Sequence, residues 1–197
     1  MNILITGVHG FVGSNLVKAL VPEHTIFGLD IVAPKKEGVK KTFFWEDLPS
    51  TNLGQTQLLD FPKIDAIIHL AGKAHDTRNK STADVYFRVN TGLTQRIFDW
   101  FLTSKSAKKF IFFSTVKSAA DRVEGEFLTE ECVPTPVGPY GESKIKAEDY
   151  IIGHFAPEAL ERPYHNFNDS DSIIKDKQVY IMRPCMIHGP GNKGNLN

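Results

Sequence analysis

The sequence predicts an α/β protein, a doubly wound parallel sheet with helices on both faces. Three observations point there. Short apolar runs alternate with longer amphipathic stretches, as strand–helix–strand units require. The runs are continuous, as in Ile67-Ile68-His69-Leu70 and Phe110-Ile111-Phe112-Phe113, which suits strands buried on both faces. The first run leads directly into Gly7-Val8-His9-Gly10-Phe11-Val12-Gly13, a glycine-rich turn opening a helix.

Taken in order, the strands are expected at Asn2–Thr6, Thr25–Asp30, Thr42–Trp45, Ala66–Leu70, Lys109–Ser114 and Gln178–Met182. Helices are expected at Val12–Leu20, Thr82–Phe101 and Tyr140–Phe155. In the second helix Val85, Val89, Ile97 and Phe101 recur at helical spacing and should face the sheet. The stretch Ala156–Lys177, rich in Asn, Asp, Ser and His, reads as an exposed loop.

Bulk properties narrow the function. The 197 residues carry 23 Lys plus Arg against 23 Asp plus Glu, so the formal net charge is zero. No electrostatic argument favours nucleic acid or an anionic membrane as partner. Cys132 and Cys185 are far apart and lack metal-ligand spacing, so neither a disulfide framework nor a metal site is expected. The N-terminus reads as a buried strand rather than a signal peptide, and no apolar segment approaches the ~20 residues that span a bilayer. A cytoplasmic location is expected. The sequence stops in the Gly/Asn-rich run Gly189–Asn197, so residues 1–191 read as one domain. Residues 192–197 read as the start of a connector to an absent substrate-binding region.

The glycine loop carries the first chemistry. Gly7 permits a tight turn, Gly10 lets backbone approach a pyrophosphate, and Gly13 lets helix pack on strand. Phe11, Val12 and Gly13 open the helix, whose N-terminus faces the phosphates with free N–H groups and a positive dipole end. This is a Rossmann-type arrangement. Asp30 ends the second strand 17 residues beyond Gly13; there a carboxylate can bond both ribose hydroxyls and repel a 2′-phosphate. Lys35 and Lys36 could attract that phosphate, but the carboxylate favours NAD over NADP. His9, inside the loop, is expected to expose its ring, and His69 to be a buried, hydrogen-bonded histidine.

Tyr140-Gly141-Glu142-Ser143-Lys144 is the second constellation. At i and i+4, Tyr140 and Lys144 share a helix face. A neighbouring ammonium and the positive nicotinamide ring are together expected to lower the tyrosine pKa from ~10, allowing proton exchange with a sugar hydroxyl. Upstream, Ser114 and Thr115 stand at the carboxyl end of a strand, the edge where open α/β sheets bind ligands.

These residues resemble the extended short-chain dehydrogenases/reductases, also called the NAD-dependent epimerase/dehydratase family. The likeness runs from Asn2 to about Gly191 and includes the glycine loop, Asp30, His69-Leu70-Ala71-Gly72, Val89-Asn90-Thr91-Gly92, Tyr140-xxx-Lys144, Arg183-Pro184 and Ile187–Gly191. It implies Thr115, 25 residues before the tyrosine, as the catalytic hydroxyl beside Tyr140 and Lys144, with Ser114 as second candidate. For NAD it implies Gly7, Gly10, Phe11, Val12, Gly13, Asp30 and Ile31, and Asp47 and Leu48 beside the adenine. Leu70, Ala71 and Gly72 would pass under the pyrophosphate and ribose. Asn90 would brace the backbone near the active site, Lys144 would bond the nicotinamide ribose, Tyr140 would also meet the cofactor, and Pro184 would lie against the nicotinamide.

The implied activity is nucleotide-sugar epimerisation: reversible oxidation at C4 of a UDP-hexose, turnover of the 4-keto sugar, and hydride return to its other face. The 4,6-dehydratases of this family carry Asp-Glu after the catalytic threonine, where this chain has Val116 and Lys117. A 4-keto-sugar reductase shares the same trio but normally prefers NADP. A non-catalytic NAD-binding module is the reading from another class. The resemblance also implies a homodimer through the helices of Asn90 and Tyr140, with Ile97, Trp100, Ile145 and Ile152 as apolar surface.

Overall fold

The computed structural model describes residues 1–49, 61–74, 82–123, 125–129, 132–161, 174–189 and 192. Expectations for residues 162–173, 190–191 and 193–197 lie outside the described residues.

Six parallel strands form one sheet: β1 (Asn2–Thr6), β2 (Thr25–Asp30), β3 (Val39–Phe44), β4 (Ala66–His69), β5 (Lys109–Phe113) and β6 (Gln178–Met182). Their order is β3-β2-β1-β4-β5-β6. The chain reverses direction across the sheet between β1 and β4, which pair from Ile3↔Ala66 to Thr6↔His69. A crevice beyond the carboxyl ends of strands at such a reversal is where open α/β sheets bind ligands.

Alternation along β1 divides the core. Ile3 and Ile5 turn to one face, where Val17 of α1 (Phe11–Leu20) covers them together with Val8 and Ile26. Leu4 turns to the other, larger core. That core is closed by α3 (Leu93–Thr103) and α4 (Gly138–Phe155) through Ile97, Phe98, Phe101, Ile151 and Phe155, all completely buried. Phe110 of β5 lies under two of these rings, edge-on to Phe98 at 5.1 Å and tilted to Phe101 at 5.3 Å.

Four expectations need correction. The helix expected over Thr82–Phe101 is broken into α2 (Ala83–Tyr86), a π-helical turn (Phe87–Gly92) and α3. The wider π turn resets the helical register, so the buried face runs Tyr86, Asn90, Thr94, Ile97, Phe101, while Val85 and Val89 are half-buried. Strand β3 begins at Val39 rather than Thr42, and Trp45 belongs to the following 3₁₀ turn (Trp45–Asp47). Edge strands tolerate charges such as Lys40 and Lys41, which hid its start.

The stretch Ala156–Lys177 is not simply an exposed loop, because both described ends are packed in. Ala156 and Ala159 are fully buried around a 3₁₀ turn (Pro157–Glu161). At the other end the Lys177 ammonium donates to the Ser104 and Ala107 carbonyls at 2.6 and 2.8 Å. Finally, Ile97, Trp100 and Ile152 are buried in the chain's own core and Ile145 is half-buried. Ile97, Trp100 and Ile152 therefore pack inward instead of forming an apolar surface.

Candidate active site

Backbone geometry builds the first half of the site. Gly7 has φ +66°, and a Cβ there would stand 3.1 Å from the Ala71 backbone. A Cβ at Gly13 would lie 2.5 Å from the Gly7 carbonyl oxygen and 2.8 Å from Val8 Cα. Helix α1 therefore crosses the loop at a distance only glycine permits. Gly10 is different: it is exposed, caps α1 with φ −70°, and its Cβ would approach only the Gly7 carbonyl oxygen, at 3.2 Å. No side chain caps α1 and no acidic residue occupies its first turn. The leading N–H groups of Phe11, Val12 and Gly13 thus lack helical acceptors, a setting that suits a pyrophosphate.

Asp30 closes the loop against β2. One carboxylate oxygen accepts from the His9 N–H at 3.1 Å and the other from the Ile31 N–H at 2.8 Å. Ile31 itself is highly exposed. The His9 ring is not simply exposed: it is half-buried, with Nε2 3.3 Å from Thr42 Oγ1. Asp47 accepts from the Phe44 N–H at 2.8 Å, which secures the 3₁₀ turn and leaves Leu48 buried beneath it.

A buried polar chain joins the loop to the π turn. The N–H groups of Leu70 and Ala71 donate to Thr6 Oγ1 at 3.1 and 2.9 Å, so they are occupied within the protein. Gly72 follows, exposed. Thr6 Oγ1 lies 2.7 Å from His69 Nδ1, His69 Nε2 lies 2.8 Å from Thr94 Oγ1, and Thr94 donates to the Asn90 carbonyl at 2.6 Å. Because the Thr94 proton is spent on that carbonyl, His69 donates from Nε2; because Thr6 Oγ1 already accepts two N–H groups, it donates its proton to Nδ1. The ring is therefore neutral, in keeping with a pKa pushed well below its usual value by burial and then by the Lys144 charge. The Asn90 amide bonds Lys73 N at 2.7 Å, Lys73 O at 3.1 Å and Ser143 Oγ at 2.9 Å. It clamps the strand end after Gly72 to helix α4.

The second half of the site gathers at β5, β6 and α4. Thr115 is buried and caps a 3₁₀ turn (Val116–Ser118) by accepting from the Lys117 N–H at 3.2 Å. Its hydroxyl lies near enough to Tyr140 to hold the phenol pKa down. Gly141 makes that approach possible, since a Cβ there would lie 2.4 Å from the Lys117 carbonyl oxygen. The Pro184 carbonyl accepts from the Val116 N–H at 3.2 Å, setting Pro184 beside the same turn.

Lys144 is buried, donates to the Phe113 carbonyl at 2.6 Å and stands 4.1 Å above the Phe112 ring. Burial lowers its pKa to about 7 while the Glu148 charge pulls it up. Of the two causes expected to lower the Tyr140 pKa, the protein's own ammonium does not do so here. Burial raises the Tyr140 pKa, and the Thr115 hydroxyl opposes that rise. Lys144, aimed at the Phe113 carbonyl and itself partly deprotonated at neutral pH, does not dominate the phenol.

Ser114 turns away from Thr115 and donates to Glu148. Sequence reading missed Glu148, which is fully buried and also holds Arg183 through N–H···O bonds of 3.0 and 2.6 Å. It also missed Ser118 and the spatial need for Gly141. The available signal was periodic: Lys144, Glu148, Ile151 and Phe155 form one stripe of α4.

Together, a glycine cradle at the sheet's reversal point and a Thr–Tyr–Lys group shared between the end of β5 and the start of α4 define an extended short-chain dehydrogenase/reductase domain. Residues 3–161 match the NAD dependent epimerase/dehydratase family, and the chain belongs to that family, which makes NAD its cofactor. A UDP-glucose 4-epimerase of Vibrio cholerae is 28% identical over 99% of this chain and 54% of its own length. A dTDP-glucose 4,6-dehydratase of Streptomyces griseus is 24% identical over 81% of this chain and 51% of its own. The solved UDP-glucuronic acid 4-epimerase of Bacillus cereus, in complex with NAD, superposes with TM-score 0.63 at 21% identity, covering 98% of this chain and 59% of that one. The chain spans about half the length of the curated relatives it matches. No helix among the described residues is long and apolar enough to cross a membrane.

Proposed function

We propose that the chain forms the cofactor-binding and catalytic part of a nucleotide-sugar 4-epimerase acting on a UDP-hexose through a 4-keto intermediate. The observation that carries this reading is the grouping of the buried Thr115 hydroxyl, which acts on the Tyr140 phenol, with Lys144 buried one turn further along α4. The next two positions, meanwhile, offer no acid/base carboxyl pair. Val116 has no polar side chain, and the Lys117 ammonium is paired with Asp121. A dehydratase must also move a proton at C5 and expel the C6 hydroxyl, and this site supplies nothing at those positions to do so.

Bound along Gly7–Gly13, Asp30 and the end of β6, NAD would supply the hydride acceptor and donor. The chain's own residues manage the proton. Tyr140 Oη takes the O4 proton as the alcohol is oxidised and returns it to the epimeric alkoxide. Thr115 Oγ1 holds O4 and the phenol in one line. Lys144, titrating near neutrality, stands by to share charge with the phenolate. A 4-keto-sugar reductase would need NADP by preference, against which Asp30 presents a carboxylate. The named activities of the relatives favour UDP-linked hexoses as substrates.

Incubation of the full-length protein with UDP-glucose, UDP-galactose and UDP-glucuronic acid tests the reading by proton NMR of the products. C4 epimers forming without net accumulation of reduced nicotinamide are expected. Loss of water to a 4-keto-6-deoxy sugar, or stoichiometric consumption of reduced cofactor, would overturn it.

A further inference from the structure

The catalytic face has a charged group behind it that no step above uses. Glu148 is fully buried, yet its carboxylate binds four donors from three other parts of the chain. Ser114 Oγ, at the end of β5, donates to Oε1. Ser118 Oγ lies 2.6 Å from Oε1 and 2.7 Å from the Thr115 carbonyl, its single proton within reach of both. Arg183, next to Pro184, binds Oε2 through Nε and a terminal nitrogen at 3.0 and 2.6 Å. Glu148 also follows Lys144 by four residues on α4, so the two side chains rise from one helix face.

We propose that Glu148 is a positioning residue: its carboxylate locks the Thr115 turn, helix α4 and the end of β6 into one register and supplies the negative charge that Lys144 faces. This rests on the reading of Thr115, Tyr140 and Lys144 as the reacting group. The charge is needed because the rest of the Lys144 surroundings offers little. From β4 comes His69, neutral by its hydrogen bonds; from β5 come the Phe112 ring and the Phe113 carbonyl. From its own helix comes Tyr140, and Arg183 of the β6 end is spent on Glu148 itself. Without Glu148, burial alone acts on Lys144 and favours its neutral form.

Glu148→Gln separates charge from shape. The Gln carbonyl can face Arg183 while its amide donates to Ser114 and Ser118, leaving the Ser118 proton for the Thr115 carbonyl. The measurement is competitive acetylation of Lys144 across pH, read by mass spectrometry on the whole protein with NAD. In folded Glu148→Gln the labelling midpoint is expected to fall below the wild-type value near 7. A drop of about half a unit raises labelling one unit below that midpoint roughly two- to threefold. An unchanged midpoint in the folded variant overturns the proposal.

Should Glu148→Gln not fold, Ser118→Ala removes one arm between Glu148 and the Thr115 turn while leaving the charge. Tyr140 ionisation, followed by ultraviolet difference absorbance against Tyr140→Phe, is then expected to move to higher pH as the Thr115 hydroxyl that holds it down shifts away. No movement overturns the positioning role. Neither assay contains a sugar, so either can fail while C4 epimers still form, and the epimerase reading can fail while both succeed.

Discussion

The two halves of the site are made of different materials. Around Gly7–Gly13 the decisive contacts are backbone against backbone. The missing side chains at Gly7 and Gly13 are what permit a loop, a helix and a strand end to meet. Behind Tyr140 the decisive contacts are between buried polar side chains: Asn90 with Ser143, His69 with Thr94, and Glu148 with two serines and an arginine. A cradle that must accept a large anion gains from exposed N–H groups and empty space. A proton-transfer group gains from a fixed, water-poor frame, and such a frame can be polar only if each buried group has a partner. The cradle should therefore respond to added volume, and the catalytic frame to changed charge.

The largest effect is expected at Lys144. Its ammonium titrates near 7 in the folded chain against 10.5 for the free side chain. Between those values the unfolded chain holds a proton that the folded one has released, so stability rises with pH across that window. Below it the full cost of burying the charge is present. Lys144→Met is expected to gain at most about 5 kcal/mol below pH 7, less whatever the Phe113 hydrogen bond contributed. The advantage should close as pH climbs towards 10.5. Urea unfolding at several pH values checks this, and an advantage independent of pH would break the contrast between the halves.

Gly13→Ala tests the cradle. The new methyl meets backbone that cannot rotate away, so a cost of roughly 3 kcal/mol and loss of NAD binding by calorimetry are expected; unaltered affinity would show that the loop is softer than drawn. The smallest effect is at the cradle's rim. Asp30→Asn keeps an acceptor for the His9 or Ile31 N–H but removes the charge, and the preference for NAD over NADP should narrow by about tenfold, near 1.4 kcal/mol. Equal preference before and after would remove Asp30 from cofactor selection.

This division also explains what the sequence disclosed. Strands β1, β2 and β6 are legible to the residue because each is a short, mainly apolar run bounded by polar residues. The cradle is legible because glycine at fixed spacing between strand and helix has few other uses. The π turn at Phe87–Gly92 is not legible, since its buried residues are Asn90 and Thr91 and hydrophobic periodicity is blind to them. Glu148 escaped for the same reason: a carboxylate on a helix reads as solvent-facing until Arg183, 35 residues later, is seen beside it. Ile97, Trp100 and Ile152 were misread as surface because an inward apolar stripe and an interface stripe have one pattern. The phenol's surroundings depend on burial, which no local spacing reports.

The central claim is that Tyr140 carries the proton at C4, and Tyr140→Phe in the full-length protein tests it most directly. Removing one hydroxyl leaves the glycine cradle untouched and costs NAD at most one hydrogen bond, so its affinity by calorimetry should fall by no more than about tenfold. Interconversion of UDP-glucose and UDP-galactose should fall by about 10²–10⁴-fold, the usual worth of a positioned acid/base. Near-normal interconversion by this variant would contradict the account.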